Sequence, residues 1–180
     1  MIRCKWCNLD NKKYIDYHDN EWGILNLDDS YLFEMLILES FQAGLSWECV
    51  LNKRDNFRLC YDNFNLDKII NYDDKKIDEL LQNKGIIRNK LKIKMSINNA
   101  KIFKKIQTEF GSFSNYLNSF TKGKIIYELN LTHSKLSDDI SKNLMSRGMK
   151  FVGTTIIYSY LQAIGVIYSH DKECFKYKKG

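Results

Sequence analysis

Apolar residues recur along this chain at intervals of three and four, the spacing that lines one face of an α-helix. Leu32, Met35, Leu36 and Ala43 follow that rule after Asp28, Asp29 and Ser30, residues whose side chains accept from the free N–H groups opening a helix. A second helix is expected from near Ser46 through Trp47, Val50, Leu51 and Arg54. A third, capped by Asp73 or Asp74, turns Ile77, Leu80 and Leu81 inward and is ended by Gly85. Asn89 is placed to cap the next, along which Ile93, Ile97 and Ala100 align before Gly111. Ser137 precedes another, with Ile140 and Leu144 inside and Gly148 at its end. The last starts near Thr154 and sets Ile157 and Leu161 on one face. No segment alternates at two-residue spacing, so the predicted fold class is all-α.

A length of 180 residues suits one domain, 1–180, large enough to bury a core without disulfides. Proline is absent and glycine numbers only 9, which argues against a linker or low-complexity tail. The opening Met-Ile-Arg-Cys-Lys-Trp-Cys lacks the apolar stretch of a signal peptide, and no run reaches the roughly 18 apolar residues of a membrane span. A cytoplasmic location is expected. There the odd count of 5 cysteines favours metal or free thiol over disulfide. The net charge of +6 suggests a polyanionic partner such as nucleic acid.

Four features carry candidate chemistry. Cys4 and His18 lie near the start, and His170 and Cys174, spaced H-x3-C, near the end. Two cysteines and two histidines make a closed tetrahedral zinc site, and the i, i+4 spacing brings the last two within one turn. Such a site leaves no position for reactive water, so its role is structural, joining 1–25 to 165–180. Cys7 offers a rival ligand, because Cys4-x2-Cys7 is itself ligand spacing.

Glu39 falls three and four residues after Leu36 and Met35, on a stripe that faces the interior. An unpaired carboxylate there costs several kcal/mol or shifts its pKa upward. An arginine, a cluster of N–H donors or a ligand must meet it. Trp6, Tyr17, Trp22 and Trp47 lie near Glu39 or the candidate ligands, and flat aromatic walls beside one acid suit a flat cation. In 79–92, two helices flank a short turn containing Gly85, where Lys84, Arg88, Lys90 and Lys92 supply charge for phosphate contact. His133 reads as a surface residue.

These features coincide in one family. Tyr17-His18-Asp19-Asn20-Glu21-Trp22-Gly23 resembles the Y-H-D-x-E-W-G signature of 3-methyladenine DNA glycosylase I. Leu32-Phe33-Glu34-Met35, Leu38-Glu39, Gln42-Ala43-Gly44-Leu45-Ser46-Trp47 and Gly85-Ile86-Ile87-Arg88 resemble it too. So do 147–155, Tyr158 and Gln162-Ala163, and the matches run from Cys4 to Cys174. The resemblance implies a helix-hairpin-helix glycosylase acting on double-stranded alkylated DNA, and a single domain with no evident spare apolar face is expected to be a monomer. It implies that Cys4, His18, His170 and Cys174 hold one structural zinc ion, favouring Cys4 over Cys7. Glu39 matches the base-reading carboxylate. Tyr17 and Trp47 match aromatics that line the pocket, with Trp6 and Trp22 as neighbours. Gln42, Gly44 and Leu45 fall in the loop that fills the gap left by a flipped nucleotide. Gly85, Arg88 and Lys90 match the hairpin that grips the DNA backbone. Cys7 and the short lysine-rich tail depart from the pattern. No acid follows Gly85 until Glu109, so monofunctional hydrolysis of an already activated substrate is expected, without a strong general base or a Schiff-base lysine.

Overall fold

A helix buried along most of its length becomes the axis of the fold. In the computed structural model, which describes residues 1–179, helix α2 (Asp29–Gln42) buries Leu32, Phe33 and every side chain from Met35 to Phe41. A helix apolar on all sides must be covered on all sides. α3 (Trp47–Leu51), α7 (Lys90–Phe110), α8 (Phe113–Thr121) and α10 (Thr154–Ala163) surround it. The remaining helices are α1 (Lys12–Asn20), α4 (Arg54–Cys60), α5 (Leu66–Ile69), α6 (Asp74–Gln82) and α9 (Lys135–Ser146).

Local side-chain chemistry sets most of the helix starts. Asp28 caps α2 by accepting from Ser30 N and Tyr31 N. The neighbouring Asp29 accepts from Phe113 N and Ser114 N and so caps α8 across the core. Asp73 caps α6 and Asn89 caps α7, as their positions predict. Gly111, at φ +81°, ends α7.

Elsewhere the structure departs from the periodicity. The expected helix from Ser46 to Arg54 is two helices: α3 ends at Leu51 and Arg54, paired with Glu21 and Glu34, opens α4. Ser134 caps α9, while Ser137 sits one turn inside, returning a bond to the Ser134 backbone. α6 stops at Gln82, before Gly85. The mostly helical architecture holds, with one addition: β1 (Ile126–Tyr127) pairs in parallel with β2 (Ile167–Tyr168). Two-residue strands are too short to leave a period in the sequence. No helix among the described residues is long and apolar enough to cross a membrane.

Segments near the two termini are laced together behind the core. Gly23 N donates to Gln162 O, Asn26 N to Ile164 O, and Phe175 N to Ile2 O. Gly165 stands at this seam with φ +77°, and a β-carbon there would lie 2.3 Å from both Ile24 C and Leu25 N. Backbone cannot yield as a side chain can. Gly165→Ala is therefore expected to destabilise by at least about 3 kcal/mol in urea unfolding. The control Gly123→Ala, at φ +71° with open space around it, should cost only about 1 kcal/mol.

Candidate active site

The cavity is built from four helices, α1, α2, α3 and α10, with Trp6 from the N-terminal segment and Trp22 from the turn after α1. Trp6, Tyr14, Tyr17, Trp22, Glu39, Gln42, Trp47, Ser159 and Gln162 enclose about 240 Å³. α1 sets Tyr14 and Tyr17 on one face, three residues apart. α2 supplies Glu39, and Ser46 caps α3 so that Trp47 opens it against the cavity. The rings form a continuous wall: Trp6 meets Trp22 at 4.8 Å between centroids, and Tyr17 meets Trp47 at 5.4 Å. A roomier hollow of about 560 Å³ lies beside Asp29, Phe64 and Lys104, but its polar lining is solvent-exposed or already hydrogen-bonded.

Glu39 is 2% exposed, and its Oε2 has no hydrogen-bond partner. Desolvation alone pushes its carboxyl up to about 8. No arginine relieves it. Both arms of Arg54 are engaged, Nη1 at 2.7 Å from Glu21 and Nε at 2.6 Å from Glu34. Gln42 Oε1 and Trp47 Nε1 are likewise buried and unpaired. Buried polar groups normally find partners, so three orphans around one cavity mark a place where a ligand completes the hydrogen bonding. Burial also pushes the Tyr17 phenol well above its ordinary value, keeping it a neutral donor and stacking surface.

Behind the wall, the four ligating atoms of Cys4, His18, His170 and Cys174 lie within 4.8 Å of one another, and all four residues are buried. The sulfur-to-nitrogen distances are 3.3 Å from Cys4 to His170, 3.4 Å from Cys174 to His18 and 3.6 Å from Cys174 to His170. A tetrahedral ion with zinc-like bond lengths sets that edge at about 3.6 Å, so the donor set fits. Burial pushes the Cys4 thiol up and His170 down to about 4, so a cation would displace the thiol proton and meet an imidazole that is already neutral. His18 Nδ1 lies 2.8 Å from Asp19, which Arg3 holds in a two-pronged pair, drawing that carboxyl down to about 2. Cys7 is absent from the cluster, its sulfur directed at Tyr14 O.

The expected DNA-facing residues divide. Arg88, Lys90 and Lys84 are exposed on the turn between α6 and α7 or at its edge. Leu45 is 42% exposed, and Gly44 takes φ +78°, a turn that carries the chain away from the end of α2. Gly85 is constrained from within, since an added β-carbon would lie 2.8 Å from Asn56 Cγ on α4. Lys92 is a correction: it is buried, and its charge is spent on the carbonyls of Phe41 and Ala43 rather than offered to phosphate. His133 is exposed beside Asp138, as expected. Tyr14, Ser159 and Gln162 are lining residues the sequence reading missed, although Tyr14's three-residue spacing from Tyr17 carried a signal.

A family model described as methyladenine glycosylase matches residues 6–177. The chain belongs to the methyladenine glycosylase family. It is 41% identical to DNA-3-methyladenine glycosylase 1 of Escherichia coli over 98% of this chain and 97% of that protein. Among solved structures, a 3-methyladenine DNA glycosylase I superposes with TM-score 0.93 at 40% identity, over 98% of this chain and 100% of the other. The Staphylococcus aureus glycosylase, solved to show 3-methyladenine recognition, superposes at 0.91 with 30% identity, over 99% of this chain and all of that one.

In this member of the glycosylase family, the buried acid has a measurable cost. Folded Glu39 keeps its proton to about 8 while the unfolded chain loses it near 4.5. Stability linked to this group is therefore complete below 4.5 and is lost as pH rises towards 8, by an amount on the order of 4 kcal/mol. Glu39→Gln, which holds neutral shape without a proton, is expected to match wild type in denaturant melts at pH 4 and to exceed it by several kcal/mol at pH 9.

Proposed function

We propose that this chain excises 3-methyladenine from alkylated double-stranded DNA by hydrolysing the N-glycosidic bond, the first step of base-excision repair, as a cytoplasmic monomer. The observation that carries the reading is Glu39 Oε2, unpaired and buried among indole and phenol rings, with the local arginine already engaged. Methylation at N3 puts delocalised positive charge on adenine while it is still attached to the sugar. A base in the duplex cannot reach this cavity, so it is flipped out, at a cost of a few kcal/mol.

Once inside, the cationic ring stacks on Tyr17 and Trp47, with Trp6 and Trp22 completing the wall. Glu39 accepts from the exocyclic amino group. Its raised pKa sharpens the choice: the acid stays neutral until a cation arrives to favour the carboxylate. Normal adenine brings the amino group without the charge. Guanine brings a carbonyl, which repels the carboxylate form that the cationic base favours. Because the alkylated base departs neutral, its leaving group needs little protonation, and recognition supplies most of the acceleration.

The turn between α6 and α7 serves as the hairpin of a helix-hairpin-helix element, with Gly85 allowing tight passage and Arg88 and Lys90 holding phosphates. Gln42, Gly44 and Leu45 enter the gap left by the flipped base. Cys4, His18, His170 and Cys174 hold a zinc ion, which supplies a structural tie and takes no part in the reaction. The separations between their sulfur and nitrogen atoms support that ion.

Chromatography of bases released from methylated DNA tests the activity. Wild type should liberate 3-methyladenine and leave the abasic strand intact, and Glu39→Gln should release it at least about tenfold more slowly. Covalent trapping with borohydride, or equal rates for the two proteins, would falsify this reading. For the metal, prolonged chelation or Cys174→Ser should lower the melting temperature by on the order of 10 °C, while the protein held well below that temperature still binds free 3-methyladenine. An equally stable metal-free protein would remove zinc from the account.

A further inference from the structure

Lys92 stands at the start of α7, just past the exposed turn, yet it is only 8% exposed. Its Nζ donates to Phe41 O at 2.8 Å and Ala43 O at 2.5 Å. Those carbonyls end α2, where the last C=O groups have no partner within the helix. The C-cap is Ala43, at φ −46° and ψ 114°, and the turn through Gly44 returns Leu45 N to Gln42 O, so the carbonyls of Phe41 and Ala43 are left for another donor. A buried cation from another helix supplies the missing donors and complements the negative end of the helix dipole. Burial lowers the Lys92 pKa, and no carboxylate lies within ion-pair distance. Its partners are the two carbonyls and the Phe151 ring, 5.7 Å away.

Phe151 connects this clamp to a second wall of the cavity. It adopts φ +55°, a left-handed conformation that is strained for a bulky residue and persists only where neighbours impose it. Those neighbours lie on α7 as well. Asn99 accepts from Lys150 N at 2.9 Å and donates to Lys150 O at 2.8 Å, and Asn98 donates to Gly148 O at 3.0 Å. The loop so pinned leads directly into α10, which carries Ser159 and Gln162 to the cavity. One face of α7 therefore holds both the loop that follows Glu39's helix and the loop that precedes the opposite wall.

We propose that Lys92 is a positioning residue that couples the α6–α7 hairpin to the cavity's lip, holding 42–45 in the arrangement needed to accept a nucleotide flipped from duplex DNA. Lys92 does not line the cavity and does not touch the base. It fixes where Gln42 points inward and where Leu45 emerges, relative to the segment that grips the phosphates. Misplacing such a group by an ångström is enough to cost up to about a hundredfold in rate. The inference rests on the proposed glycosylase reading of the cavity.

Lys92→Met keeps the aliphatic stem and removes the donors. Three measurements are made on the full chain: affinity for free 3-methyladenine by tryptophan fluorescence, kcat/KM on methylated duplex, and amide hydrogen exchange at Gly44 and Leu45. The expected result is free-base affinity within about threefold of wild type, at least tenfold lower kcat/KM on duplex, and faster exchange at both amides. Lys92→Arg, which retains a cation able to reach both carbonyls, should recover most of the lost rate. Equal losses of free-base binding and duplex excision would assign Lys92 to general stability and overturn the proposal, as would unchanged exchange with unchanged rate. Should Lys92→Met not fold, Lys92→Gln, with one donor, is judged by the same split. A wild type that releases no 3-methyladenine sinks the glycosylase reading instead, and exchange at Gly44 and Leu45 still decides whether Lys92 orders the lip.

Discussion

An acid buried without a counter-charge is the constraint around which this molecule is organised. Glu39 sits on a helix with no solvent-facing side over most of its length, and its carboxyl reaches a cavity rather than a cation. A sequence under pressure for stability alone would place an apolar residue or a paired charge there. Instead Glu39 has no charged partner, while the buried Arg54 is satisfied by Glu21 and Glu34. The cost of that arrangement is offset by the large apolar core around α2, and the carboxyl remains available for a partner from outside.

A recognition site of this kind depends on rigid walls, since an orphaned acceptor in a soft cavity would collapse onto a neighbour or admit water. The rings stand edge-to-face or tilted against one another, geometries that favour aromatic pairs and resist sliding. The supporting bonds run deep into the fold. Lys92, Asn98 and Asn99 present one polar ladder along α7, and each rung holds backbone carbonyls of a loop adjoining the cavity. Polar side chains inside a long helix are thus structural fasteners here, not a solvated face.

Much of the fold was legible because it depends on local chemistry. Asp28, Asp73 and Asn89 cap helices where their side chains can reach the next free N–H groups, and the three-and-four rule placed Glu39 inside α2. The candidate site was legible through the family resemblance and through the unusual sight of a carboxylate on an apolar stripe. What escaped was set by distant partners. Nothing near Arg54 in the chain announces that Glu21 and Glu34 will be its partners. Lys92 lies in a run of lysines and reads as one more surface charge, yet it is the one turned inward by carbonyls about fifty positions upstream. Ser159 and Gln162 reach the cavity only because α10 packs against α2, a long-range outcome that no short window contains.

Trp22 rests edge-on against His170 at 4.6 Å, and Trp6 packs against His18 at 5.2 Å. Two tryptophans of the cavity thus lean on rings that belong to the ligand cluster. During synthesis the aromatic floor waits for His170, made 148 positions after Trp22 (170 minus 22), before it can settle. A chain truncated before that histidine would present a pocket with one side unsupported. Recognition of a damaged base is in this sense a property of the finished polypeptide, closed by its last histidine and cysteine.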